Sequence, residues 1–197
     1  MTSSRLEAFS DAVLAIIITV MVLGLAVPEG KAWGDLLDTA GLGLINYLLS
    51  FVFIGIYWNN HHHLFRLRPH VNATVLWANL HLLFWLSLFP FTTAWLTRTQ
   101  VGQAPAVVYG LNLLAASLAY VLLQAAINRQ PGGERLREAI GPDWKGRLSM
   151  VLFAIGIGLT FISPWLGLIP YIGTAVWWLV PDRRIERYLA DNPQHAE

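Results

Sequence analysis

Apolar residues fall into four long blocks, at about residues 6–27, 39–60, 73–97 and 104–127, each interrupted only by small or isolated polar positions. A helix crossing about 30 Å of hydrocarbon needs around 20 such residues. Each block therefore predicts one membrane-spanning helix. A further apolar stretch, 147–180, would reach roughly 50 Å as one helix and is too long for a single crossing. Pro164 and Pro170 interrupt it, which predicts two short helices, 147–162 and 166–180, with Trp165, Trp177 and Trp178 as interfacial anchors. No alternating pattern suggests a β-barrel. The expected fold is all-α, a polytopic membrane protein with six transmembrane helices forming a single domain over residues 1–197.

Composition agrees with lipid as the solvent. Of 197 residues, 55% are apolar and only 13% charged, with a mean hydropathy of +0.51, against about 25% charged in an ordinary soluble domain. The acidic residues leave membrane-sized gaps, none occurring between Asp38 and Glu134 or between Asp143 and Asp182. A net charge of +1 provides no broad basic surface, so nucleic acid is not an expected partner. With no cysteine, disulfides, thiolate nucleophiles and Cys-ligated metals are excluded. The first block imitates a signal peptide, but Glu7 and Asp11 sit badly in an h-region, so the segment is expected to remain as a helix.

Eleven of the thirteen Lys and Arg fall on one side of the six-span arrangement, and only Lys31 and Arg98 on the other. Basic residues in short loops stay cytoplasmic, which predicts that both termini are cytoplasmic. The connector 128–147, with Pro131-Gly132-Gly133 and Gly141-Pro142, reads as a turn-rich loop dividing four spans from two.

Charge also enters the first span, as Arg5, Glu7 and Asp11. Ionisable groups at membrane depth are costly and mark functional or paired positions, although acidic residues also suit the positive end of a helix dipole. Arg5-x-x-x-Phe9-Ser10-Asp11 resembles the signature that opens the first helix in the transmembrane protein 175 family of potassium channels. Similar pieces follow in Phe53-Ile-Gly-Ile-Tyr-Trp58-Asn-Asn-His-His62-His-Leu-Phe65 and in Leu88-Phe89-Pro90-Phe91-Thr92-Thr93. The resemblance covers the first half of the chain well and the second half only in helix count.

What the resemblance implies is a bacterial inner-membrane subunit with one six-helix repeat, assembled as a homotetramer around a pore lined by the first helices. Such a channel passes potassium, and other monovalent cations with it, without a Gly-rich carbonyl filter. The family's aliphatic constriction corresponds to Ile16 and its Thr selectivity layer to Thr19, with Val20 and Leu23 next on the stripe. The signature residues Arg5, Phe9, Ser10 and Asp11 are implied to hold the pore helix in place.

Read from the residues alone, positions 12, 16, 19, 20, 23 and 27 share one helical face. Symmetry copies of that face would form rings of Ala, Ile, Thr, Val, Leu and Val around an axis. A narrow aliphatic ring stops ions by expelling water, and Thr hydroxyls replace part of a cation's hydration shell. The same pattern also suits a face packed on lipid or neighbouring helices, with Thr19 bonded to its own turn. Glu29, Asp35 and Asp38 against Lys31 leave about −2 per subunit near the outer mouth, which would enrich cations there.

His61, His62 and His63 sit where the second span ends, and Asn79 and His81 lie on the same side of the third. Consecutive residues on a helix point in different directions and no carboxylate accompanies them, so no metal site is expected. The expected arrangement is a polar network in which Arg5, Ser10 and Asp11 meet one of the histidines, with His62 the choice, and Asn79 or His81. No catalytic constellation stands out, and no cofactor is expected beyond potassium as the permeant ion. Two other classes stay open: a proton-coupled secondary transporter, which would need acidic groups at mid-span, and a haem-binding electron-transfer subunit using His pairs.

Overall fold

The structure, a computed structural model, describes residues 3–66, 71–130 and 143–179. Among these the chain forms only helices: α1 (Ser3–Leu23), α2 (Trp33–Arg66), α3 (Ala73–Ser87), α4 (Phe89–Arg98), α5 (Gln103–Asn128), α6 (Trp144–Leu159) and α7 (Pro164–Trp178). α3 and α4 make one rod, broken at Leu88. There Pro90 has no N–H to continue the ladder, and the Leu88 N–H bonds back to the Trp85 carbonyl at 3.3 Å. Among the described residues the rods therefore number six. Four of them, α1, α2, α3–α4 and α5, are long and apolar enough to cross a membrane.

The helix ends follow local chemistry. Asn72 caps α3 by accepting from the Val75 N–H, and Asp143 caps α6 by accepting from Gly146. α1 ends at Leu23 although the apolar run continues to Val27, because Gly24 and Leu25 close a tight turn onto Met21 and Val22 and Pro28 forces an extended backbone before it. α2 runs well beyond the expected 39–60 at both ends, and its 34 residues span about 51 Å. Polarity limits where the bilayer ends, not where the helix ends. Pro164 starts α7, but Pro170 lies inside it and does not interrupt it. The basic residues Arg68, Arg135, Arg137, Arg183, Arg184 and Arg187 lie outside the described residues.

α5 is the central pillar, packed on α3, α4, α6 and α7. Gly110 of α5 and Gly156 of α6 leave the space taken by the Tyr171 ring, which a Cβ at either position would strike. α1 rests chiefly on α2, α3 and α4, in the groove between α2 and the α3–α4 rod. That position leaves one side of α1 uncovered.

Candidate functional site

α1 has two distinct faces. Leu6, Ser10, Leu14, Ile17 and Met21 recur every three or four residues and are buried against the bundle. The opposite face carries Phe9, Ile16, Val20 and Leu23, which are 49%, 61%, 48% and 83% exposed in the single subunit. Ala12 and Thr19 lie on the same open side. Val27, expected on this stripe, falls beyond the end of α1.

Thr19 hydrogen-bonds its own turn, its Oγ1 donating to the Ile16 carbonyl at 2.8 Å. Donation uses the hydroxyl proton and leaves the oxygen lone pairs as acceptors. A hydroxyl held this way can face a cation without competing for a proton. Ile16 and Thr19 are thus tied together on one turn of the open face.

The packed face is fastened by polar bonds near the start of α1. Ser10 and Asn79 are each 0% exposed and His61 is 2% exposed. The Ser10 hydroxyl donates to the Leu6 carbonyl at 2.9 Å and accepts from the Asn79 amide at 3.0 Å. The Asn79 amide oxygen meets His61 Nε2 at 2.7 Å, which makes Nε2 the protonated nitrogen of that ring. Three helices are joined through groups whose bonds are satisfied inside a low-dielectric interior, where an unsatisfied partner would be costly.

The remaining signature residues divide differently from expectation. The buried histidine is His61; His62 is half-exposed and only approaches Glu7, with Nδ1 to Oε2 at 3.9 Å. His81 does not join the network, because its Nε2 accepts from Trp85 Nε1 on its own helix at 2.9 Å. Asp11 is exposed and accepts from Trp58 Nε1 at 2.9 Å. Arg5 is exposed and has no ion pair among the described residues. Helical register carries the missing signal: Ile54, Tyr57, His61 and Leu64 form the buried stripe of α2, and His62 lies 100° away from it.

A second polar ladder, which the residue pattern did not reveal, ties α2 to α4 and α5. Ser50 bonds the Thr93 hydroxyl at 2.7 Å and the Tyr109 hydroxyl at 3.0 Å, and the Asn46 amide donates to Thr97 at 3.0 Å. Among the described residues no three His, Asp or Glu side chains gather as a metal site.

Residues 5–90 match the family model for the endosomal/lysosomal potassium channel TMEM175. Over 98% of its length the chain is 47% identical to a protein of Chryseobacterium sp. (strain P1-3) named as a potassium channel, all of which is covered. A potassium channel of Streptomyces collinus is 32% identical, with 82% of this chain and 84% of that one covered. The chicken protein named as an endosomal/lysosomal proton channel is 28% identical over 64% of this chain, which spans only 25% of its relative. Among solved structures, a lysosomal potassium-selective channel TMEM175 homolog from Chamaesiphon minutus superposes with a TM-score of 0.75 at 28% identity, covering 90% of this chain and 96% of that one.

Proposed function

The chain belongs to the TMEM175 channel family, and from that premise we propose that it is a potassium-permeable cation channel, a homotetramer with α1 lining the pore and Ile16 forming its main constriction. It is a multi-pass membrane protein and a channel, not an enzyme. Family membership displaces the transporter and haem readings. The observation that carries the pore assignment is the open face of α1: a helix packed on one side and apolar on the other, with one hydroxyl layer at Thr19.

The parts have separate roles. Four copies of Ile16 would form a ring too apolar to hold water when narrow, so ions stop there until it widens. Thr19, one turn further out, would supply oxygen ligands to a dehydrating cation. Val20 and Leu23 extend the apolar wall towards the outer mouth. There Glu29, Asp35 and Asp38 would raise the local cation concentration. The buried Ser10–Asn79–His61 bonds would hold α1 at a fixed rotation, so that Ile16 and Thr19 stay on the axis. Both termini face the cytoplasm in this reading, and the membrane is the bacterial inner membrane.

Potassium flux from liposomes tests the constriction. Ile16→Asn wets the ring and is expected to raise flux about tenfold or more, the effect of removing roughly 1.4 kcal/mol from the barrier. Unchanged flux from an intact assembly would take Ile16 out of the pore.

A further inference from the structure

We propose that a second copy of this chain docks along α2, the exposed stripe of α2 in one subunit meeting the exposed stripe of α3–α4 in the next, so that the ring closes head to tail. The proposal rests on the tetrameric reading above and assigns its seam.

Two exposed stripes flank α1. On α2, Leu44, Leu48, Phe51 and Trp58 are exposed; Gly41 precedes them and Gly55 falls between Phe51 and Trp58, each with open space where a side chain would stand. The steps from 41 to 58 alternate between three and four residues, the spacing that keeps a seam straight along two crossing helices. On α3–α4, Trp77, His81, Phe84, Phe91 and Arg98 are all exposed, at steps of three, four or seven residues. The two glycines let a neighbouring helix approach α2 closely between its large side chains, as at close helix contacts in membranes.

The two stripes also agree in height. The Ser50–Thr93 and His61–Asn79 bonds fix which residues of α2 and of the α3–α4 rod lie level. Counting along each helix, Phe51 is level with Phe91, Gly55 with Leu88, and Trp58 lies near the height of Phe84. Copies related by rotation about the membrane normal keep their heights, and a head-to-tail contact then repeats around a closed ring. A groove of about 260 Å3, lined by Gly55, Asn59 and Trp178 among others, opens on α2 at the height of Leu88 and Phe84. It has room for one aromatic side chain of a neighbouring copy.

Chemistry separates these flanks from a lipid face. The large exposed residues of α5 are Leu111, Leu118 and Leu122, all aliphatic. By contrast, His62 and His81 are exposed on the two flanks, and His81 lies about 12 Å along the helix from Ala73. An ionisable side chain turned to lipid there is costly, and a protein neighbour removes that cost. At the outer end the flanks carry opposite charge, Asp38 on α2 and Arg98 on α4, both exposed.

The absence of cysteine makes the test direct. Phe51→Cys, Phe91→Cys and the double variant are oxidised in native membranes and run on denaturing gels. The double variant is expected to form a ladder up to four subunits, while each single variant stays monomeric because its copies lie on separate seams. Equal cross-linking of a single variant would mean a face-to-face contact and overturn the proposal. An Ile16→Cys control, joined by a short bis-maleimide, distinguishes the two levels of failure. If it cross-links and the double variant does not, the ring stands and the seam is wrong. If neither cross-links and native mass spectrometry shows monomers, the tetrameric reading itself fails. Gly55→Leu, which fills the groove, should convert tetramer to monomer with helix content unchanged; full retention of the tetramer would also overturn the seam.

Discussion

Both faces of α1 are mainly apolar, unlike those of a surface helix in a soluble protein. Its packed face holds the polar Ser10, bonded to Asn79 and through it to His61, whereas its open face shows Phe9, Ile16, Val20 and Leu23. In lipid, apolar surface gives little drive for helices to associate, so interior hydrogen bonds and small residues do the fastening. Exposure of the apolar face therefore does not distinguish lipid from a pore. Nor does the Thr19 hydroxyl by itself, since it is already satisfied on its own turn; the ion preference of Thr19 variants is what separates the two. The difference between the faces is between residues that set where the helix stands and, in the proposed channel, residues that line the path of the ion.

That division can be broken most severely on the packed side. Asn79→Leu leaves the buried Ser10 hydroxyl with only its bond to Leu6 and His61 Nε2 with no partner, and should cost about 1 to 3 kcal/mol. Size-exclusion after a temperature ramp should show the assembly failing well below the parent's transition, while any folded fraction keeps its ion preference. An unchanged melting temperature would contradict the fastening role. A smaller effect is expected on the open side: Thr19→Ala should reduce the potassium-over-sodium preference about fivefold, equivalent to about 1 kcal/mol, with the melting temperature unmoved. Thr19→Ser should restore the preference, and equal permeability ratios in all three proteins would remove the hydroxyl layer. The smallest effect belongs to Trp58→Phe, which deletes the exposed bond to Asp11 and should cost under about 1 kcal/mol. A loss as large as that of Asn79→Leu would show that Asp11 is buried in the assembled ring.

Much of this arrangement is legible in the sequence, and the gaps have physical causes. The four long spans follow from hydropathy because lipid permits little else. The end of α1 is misjudged because Gly24 and Pro28 terminate a helix inside an apolar run, and the length of α2 because its polar ends stay helical outside the bilayer. Pro170 is tolerated within α7, where its effect on the ladder is local. Ser10 and Asn79 are recognisable as polar residues at membrane depth. The choice between His61 and His62 depends on one residue of rotation, which composition does not record and the burial of Ile54, Tyr57 and Leu64 does. The Ser50–Thr93–Tyr109 ladder escapes notice because hydroxyls are common in membrane helices and most bond their own turn.

The α6–α7 pair carries a consequence for the surrounding bilayer. Its helices have 16 and 15 residues, about 24 and 22 Å of rise, beside a hydrocarbon layer of about 30 Å. In the six-span reading two crossings this short leave a mismatch that adjoining acyl chains meet by compressing or tilting, at a cost of a fraction of a kcal/mol per ångström.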